Sequence, residues 1–271
     1  MIRKPAVAGY FYPGSSEGIE TQIRAFNLPS AAPVEVFGVI APHAGYRYSG
    51  KVAAMVYSGS KPRGPVILIG PNHGSGKGLA APAISMMTRG AWEFPNGEME
   101  INAALAGEIL KSSCEIHDAG WAHEEEHSLE VHLPFMGKYW DSPEFVPIII
   151  SRLDDDQVLQ LGECLYKSVV NYGKPVTLAA STDMSHYVPQ DVAARLDKIA
   201  MERIEAMDAE GLLKVVHDRR ISMCGVQPVA VALEVCKRMG AREARLVRYT
   251  TSGEASGDYS SVVGYCGYVI V

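Results

Sequence analysis

Val39-Ile40-Ala41-Pro42-His43-Ala44-Gly45-Tyr46 and Ile67-Leu68-Ile69-Gly70-Pro71-Asn72-His73-Gly74 share one plan: an apolar run, a proline, then a histidine among small residues. A run without polar alternation suits a strand covered on both faces, as in a parallel sheet. Residues 65–70, 145–151 and 176–181 read the same way, and residues 34–41 form the strand that ends before His43. Helical patterns fill the gaps. They start at residue 50 and cover 101–111, 154–172 (stopped by Gly173-Lys174-Pro175), 189–207 and 226–239. A short helical pattern also surrounds residues 19–26, and a further strand falls within 80–92. Two closing strands lie near residues 242–250 and 261–271. Strands alternating with helices imply an α/β fold with a largely parallel or mixed central sheet and helices on both faces. No repeat, low-complexity tract or linker divides residues 1–271, so one domain is expected.

Composition narrows the function. Hydrophobic residues make up 47% and charged residues 21% of the 271, enough for a sizeable core. A formal net charge of −6 with no basic run argues against a nucleic-acid partner. No apolar run approaches the ~20 residues that span a bilayer, and residues 1–10 lack a secretory apolar core. The five cysteines, at 114, 164, 224, 236 and 266, do not space as a disulfide framework. A cytoplasmic protein is the expectation.

Sites in such sheets assemble from loops at the carboxyl ends of strands, and two imidazoles delivered there could share one ion. A third strand-end loop, Ser181-Thr182-Asp183-Met184-Ser185-His186-Tyr187, adds an acid and an imidazole. Asp183 could orient His186, or could merely cap a helix. Cys224 stands ahead of the last long helix, where a thiol ionises more readily and suits a metal ligand or nucleophile. The plainer reading, a small buried hydrophobe, is taken for Cys114, Cys164, Cys236 and Cys266.

The densest cluster is Glu124-Glu125-Glu126-His127-Ser128-Leu129-Glu130-Val131-His132. On a helix His127 and Glu130 would share a face while His132 diverges. His127 is therefore aimed at the site, and His132 and Glu130 at substrate or at groups behind the ligands. The three glutamates would otherwise be a solvated helix start. His123 to His127 fits the His-Glu-x-x-His zinc-peptidase pattern, but that chemistry needs a mid-helix setting and a later third ligand, which His132 reaches too early to supply. His117 and His217 read as surface residues.

Taken in order, Ala6 to Pro13, Ala41 to Tyr46, Gly70 to His73, Glu126 to Pro134, Ser181 to His186 and Cys224-Gly225 resemble the Memo family over nearly the whole chain. Members of that family form one component of the AmmeMemoRadiSam set in prokaryotes. The resemblance implies a fold similar to the class III extradiol dioxygenases, in which two histidines and a carboxylate hold non-haem Fe(II). It implies His43 and His73 as metal ligands, with Cys224 in place of the carboxylate. His186 stands as the catalytic acid/base, with Asp183 and His127 as catalytic neighbours. A thiolate in place of a carboxylate moves the preference toward copper or zinc, so Fe(II) is expected first and Cu or Zn as the alternatives.

The function these expectations describe is oxygen- or redox-dependent chemistry on a small aromatic or polar molecule. His132, Glu130, Tyr46 and Tyr187 would contact the substrate, and Tyr46, Tyr48, Trp92 and Tyr187 would stand at the pocket mouth. A peptide-binding module in the same cleft and a zinc hydrolase are the rival readings. The resemblance also implies a radical-SAM partner, and a sheet fold of this size often forms a homo-oligomer.

Overall fold

The computed structural model describes residues 1–271 except 31, 75, 113, 114 and 142. Cys114 thus lies outside the described residues. The main sheet runs, edge to edge, His186–Val188, Val262–Ile270, Gly38–Ala41, Thr177–Ser181, Val66–Pro71, Phe145–Ile150, Ile84–Met86 and His117–Asp118, with Ala244–Thr251 paired to Val262–Ile270 off that path. The middle four strands are mutually parallel. Val262–Ile270 joins one side antiparallel and Ile84–Met86 the other. The sheet is therefore mixed, with a parallel centre.

The apolar runs behave as their lack of alternation requires. Ile67 and Ile69 enter one hydrophobic layer with Ile40, Ile148 and Leu178. Val66 and Leu68 enter the other with Val39, Ile149 and Ala179. Helix Val226–Arg238 packs on the first face, with Asp155–Tyr172 and Ala209–Asp218 beside it; Gly50–Ser58 and Leu133–Tyr139 cover the second. Asp155–Tyr172 begins at a reciprocal cap, Asp154 accepting from Gln157 N–H while the Gln157 side chain accepts from Asp154 N–H. It ends at Gly173, whose φ of 71° supplies the left-handed turn. The α/β class, the mixed sheet and the two-sided helical cover agree with the sequence reading and with the dioxygenase-like architecture the resemblance implies.

Three details differ. Residues 34–41 make two strands, because Val34–Val36 pairs with Ser60–Pro62 in a separate two-stranded sheet while Gly38–Ala41 enters the main one. A small sheet of Ile2–Arg3, Ala91–Phe94 and Gly97–Glu100 had no apolar run to announce it. Cys164, read as a packing residue, is disulfide-bonded, a connectivity that spacing does not encode. No helix among the described residues is long and apolar enough to cross a membrane.

Candidate metal centre

Three adjacent parallel strands end within one residue of each other in register, at Ala41, Ser181 and Pro71. Two residues beyond each end come His43, Asp183 and His73. Strand order therefore places the carboxylate between the two imidazoles. The segment after helix-like residues Gly120–His123 crosses in front of this row and brings His127 to it. Ligand atoms of His43, His73 and His127 lie within 4.8 Å of one another. The His73 and His127 rings stack at 4.5 Å, and His43 meets both edge-on at 5.1 and 5.6 Å.

Each side chain is gripped from behind. The Glu126 carboxylate accepts from His73 N–H at 2.6 Å, from His73 Nδ1 at 2.9 Å, and from the backbone of His127 and Ser128. Burial works against its ionisation, yet His73, the His127 ring and the Ser128 N–H hold it down to about 2. At His73 burial favours the neutral ring, and the Glu126 carboxylate outweighs it and raises the value. Burial lowers His127, and burial together with the neighbouring imidazoles lowers His43. His43 Nδ1 lies 2.6 Å from Ser181 Oγ. Ser181 Oγ in turn lies 2.9 Å from His132 Nε2 and donates to Ser128 O at 2.6 Å. His132 Nδ1 stands 2.9 Å from Tyr57 OH.

Asp183 Oδ1 accepts from His43 N–H at 2.9 Å, and burial pushes its carboxyl up to about 6. The expected Asp183–His186 pairing is replaced by this grip on His43. His186 Nδ1 instead donates to Ser222 O at 2.8 Å, and its backbone N–H to Ser222 Oγ. Cys224 Sγ lies 3.3 Å from His43 Nε2 and accepts from Asp183 N–H at 3.2 Å. Burial and the Asp183 charge push this thiol up, so the helix start does not ionise it as the sequence reading supposed. Its position depends on Gly225: a Cβ there would sit 2.2 Å from Ser181 O, so only glycine lets the helix start approach the strand end this closely.

An open cleft of about 590 Å³ lies over the row. His43, His73, His127, Asp183, His186 and Tyr187 line it, with Phe11, Tyr48 and Tyr265 among the walls. Tyr187 is 78% exposed and carries a left-handed φ of 58°, a strained setting for a bulky side chain. The other residues expected to touch substrate sit behind the cleft. Tyr46 is buried with its hydroxyl on Val131 O. His132 is enclosed by Tyr57 and Ser181. Trp92, expected at the mouth, is buried against Arg3 and His123.

Glu130, its side chain fully buried, accepts from Arg3 Nη1 (2.7 Å), Ala6 N–H (2.7 Å), Val7 N–H (2.9 Å) and Tyr12 OH (2.6 Å). Arg3 also donates to His123 O and Glu126 O. The residue 3–12 segment is thus riveted to the stretch that carries Glu126 and His127, and Phe11 packs on His127 at 4.8 Å. His123 ends a short 3-10 turn and lies fully buried; with no helix joining it to His127, the zinc-peptidase pattern lacks its scaffold. Sequence reading missed Arg3, Tyr57, Glu126 and Ser181. None carries a local signal, since burial alone distinguishes them from ordinary arginines, tyrosines, glutamates and serines.

A family model described as "Memo-like protein" matches residues 3–269. A "MEMO1 family protein" of Methanopyrus kandleri is 39% identical, the match covering 99% of each chain. Another, of Methanothermobacter thermautotrophicus, is 39% identical over 98% of this chain and 99% of its own. Among solved structures, an uncharacterized protein from Escherichia coli K12 superposes with a TM-score of 0.55 at 11% identity, covering 84% of this chain and 98% of the other. That similarity speaks to fold alone.

Proposed function

Because the chain belongs to the Memo family, we propose that it is a metalloprotein whose single non-haem ion sits among His43, His73 and His127 on the cleft floor. The observation that carries this reading is the convergence of three imidazole donors from three separate segments within 4.8 Å. Burial favours the neutral ring at His43 and His127, so lone pairs are brought to face one another, and such a cluster costs free energy unless a cation joins it. The donors also fit an ion: metal–nitrogen bonds of about 2.1 Å need ligand nitrogens roughly 3–3.5 Å apart, a small contraction of the present cluster. Cys224, beside His43, is the competing third donor that the resemblance implies.

Imidazoles serve iron, copper and zinc. Iron(II) is the first choice on the dioxygenase likeness, copper follows from the sulfur, and zinc from an all-histidine set. Bound there, such an ion supplies Lewis acidity or a redox centre. The protein's own groups do the rest. His186 spends its Nδ1 proton on Ser222 O, which leaves Nε2 to accept a proton from a molecule in the cleft. Phe11, Tyr48 and Tyr265 give that molecule apolar walls. The exposure of Tyr187 favours a second reading, in which the same cleft binds a peptide without turnover.

Elemental analysis of anaerobically purified protein tests the proposal. One equivalent of metal in the wild type and its loss in His73→Ala support it, and equal traces in both overturn it. His127→Ala and Cys224→Ala, run in parallel, identify the third donor. Oxygen uptake with a catechol panel separates turnover from binding alone, and zinc retention without oxygen uptake favours hydrolysis. A cytoplasmic location, from composition, and a radical-SAM partner, by resemblance, are part of the proposal; affinity capture tests the latter.

A further inference from the structure

We infer that Ser181, backed by His132 and Tyr57, is a positioning residue that fixes the proton of His43 on Nδ1 and so presents a bare Nε2 to the cleft. The inference rests on the reading of His43 as a metal ligand for its functional meaning, and on hydrogen-bond counting for its content. A serine hydroxyl has one proton and two acceptor sites. Ser181 Oγ has three partners: Ser128 O at 2.6 Å, His43 Nδ1 at 2.6 Å and His132 Nε2 at 2.9 Å. A carbonyl oxygen only accepts, so the single proton goes to Ser128 O. Both ring nitrogens must then donate to Ser181. His43 therefore carries its proton on Nδ1.

The chain closes consistently one step further in. His132, having donated through Nε2, offers Nδ1 as an acceptor, and Tyr57 OH, 2.9 Å away, supplies the proton. Tyr57, Ser128, His132 and Ser181 are all at most 1% exposed, so no water competes for these bonds. On its other side, His43 Nε2 lies 3.3 Å from Cys224 Sγ, whose thiol also reaches Asp183 O at 3.6 Å, so that contact leaves the tautomer to the Ser181 side. The tautomer at the cleft floor is thus set by residues that touch neither cleft nor ligand. His73 Nδ1 is held differently, by the Glu126 carboxylate.

Two-bond ¹H–¹⁵N correlation spectra of metal-free protein read the tautomer directly, and titration with Zn(II) as probe reads its consequence. The expected result is an Nδ1-protonated His43 in the wild type. Ser181→Ala is expected to give a mixed or Nε2-protonated ring with Zn(II) affinity about 10- to 100-fold weaker, the usual cost of losing such a support. Ser181→Thr, which restores the hydroxyl, recovers the wild-type spectrum and affinity. Tyr57→Phe leaves the serine in place and gives a smaller loss of affinity. An Nε2-protonated His43 in the wild type overturns the inference, as does a folded Ser181→Ala with unchanged tautomer and affinity. If Ser181→Ala does not fold, the wild-type spectrum decides. Since that spectrum needs no metal, a protein that binds none but shows the expected tautomer refutes the metalloprotein reading and leaves this one standing.

Discussion

Replacing Arg3 by methionine probes the link between the first residues and the candidate metal centre. The guanidinium and the Glu130 carboxylate are 2.7 Å apart with side chains 3% and 0% exposed, so neither is solvated by water. Removing one member of a buried pair strands the other charge and typically costs about 3–5 kcal/mol. Three donors remain on Glu130, from Ala6, Val7 and Tyr12, which holds the cost toward the lower figure. Against that, His123 O and Glu126 O each lose a charged donor, worth about 1 kcal/mol or more apiece. A net loss of about 5 kcal/mol follows, or roughly 10 °C in Tm for a chain of this size. Urea unfolding of metal-free protein measures it without the ion's own contribution. Arg3→Met/Glu130→Gln, which removes both charges, should recover part of the loss. A single variant within about 1 kcal/mol of wild type would refute the reasoning, because it would mean that the pair is not a desolvated clamp.

Acid should weaken the metal-free protein through Glu126. Its carboxyl, ordinarily near 4.5, is held down to about 2 by His73, His127 and the Ser128 N–H against the opposing effect of burial. The folded value lies below the unfolded one, so the stabilisation is complete above about pH 4.5 and disappears as pH falls through about 2. It amounts to about 3 kcal/mol. Urea midpoints across that range should slope for wild type and flatten for Glu126→Gln; parallel curves would exclude the assignment. Gly225→Ala should cost about 1–3 kcal/mol by forcing the helix start away from Ser181 O. It should also raise the reactivity of the Cys224 thiol toward a bulky alkylating agent, and unchanged stability and labelling would show that the helix start has room to spare.

The parallel centre of the fold was legible because both faces of its strands are covered, leaving an apolar run with no competing interpretation. Residues 34–36 misled for the same reason: Val34 and Val36 look like the strand that follows, and only pairing partners separate them. Helix Leu133–Tyr139 went unread behind a cluster of charged residues, and Ala209–Asp218 because it follows closely on another helix. At the candidate site, histidines announced themselves by chemistry and by their place after strands. The groups that hold them did not. Glu126 sits third in a run of three glutamates and is 1% exposed, its carboxylate bound by His73, 53 residues earlier in the chain. Asp183 was found but given the wrong neighbour, since His186 is close in sequence and His43 only in space.

The strand that carries His43 also has a history. In the finished sheet it lies between Thr177–Ser181 and Val262–Ile270, stretches that leave the ribosome long after it does. Arg3 likewise waits for residues 123–130. The strand that leads to His43 therefore gains its two sheet neighbours only from residues far later in the sequence. On the proposed reading, the floor on which an ion would rest is complete only once those distant strands have joined.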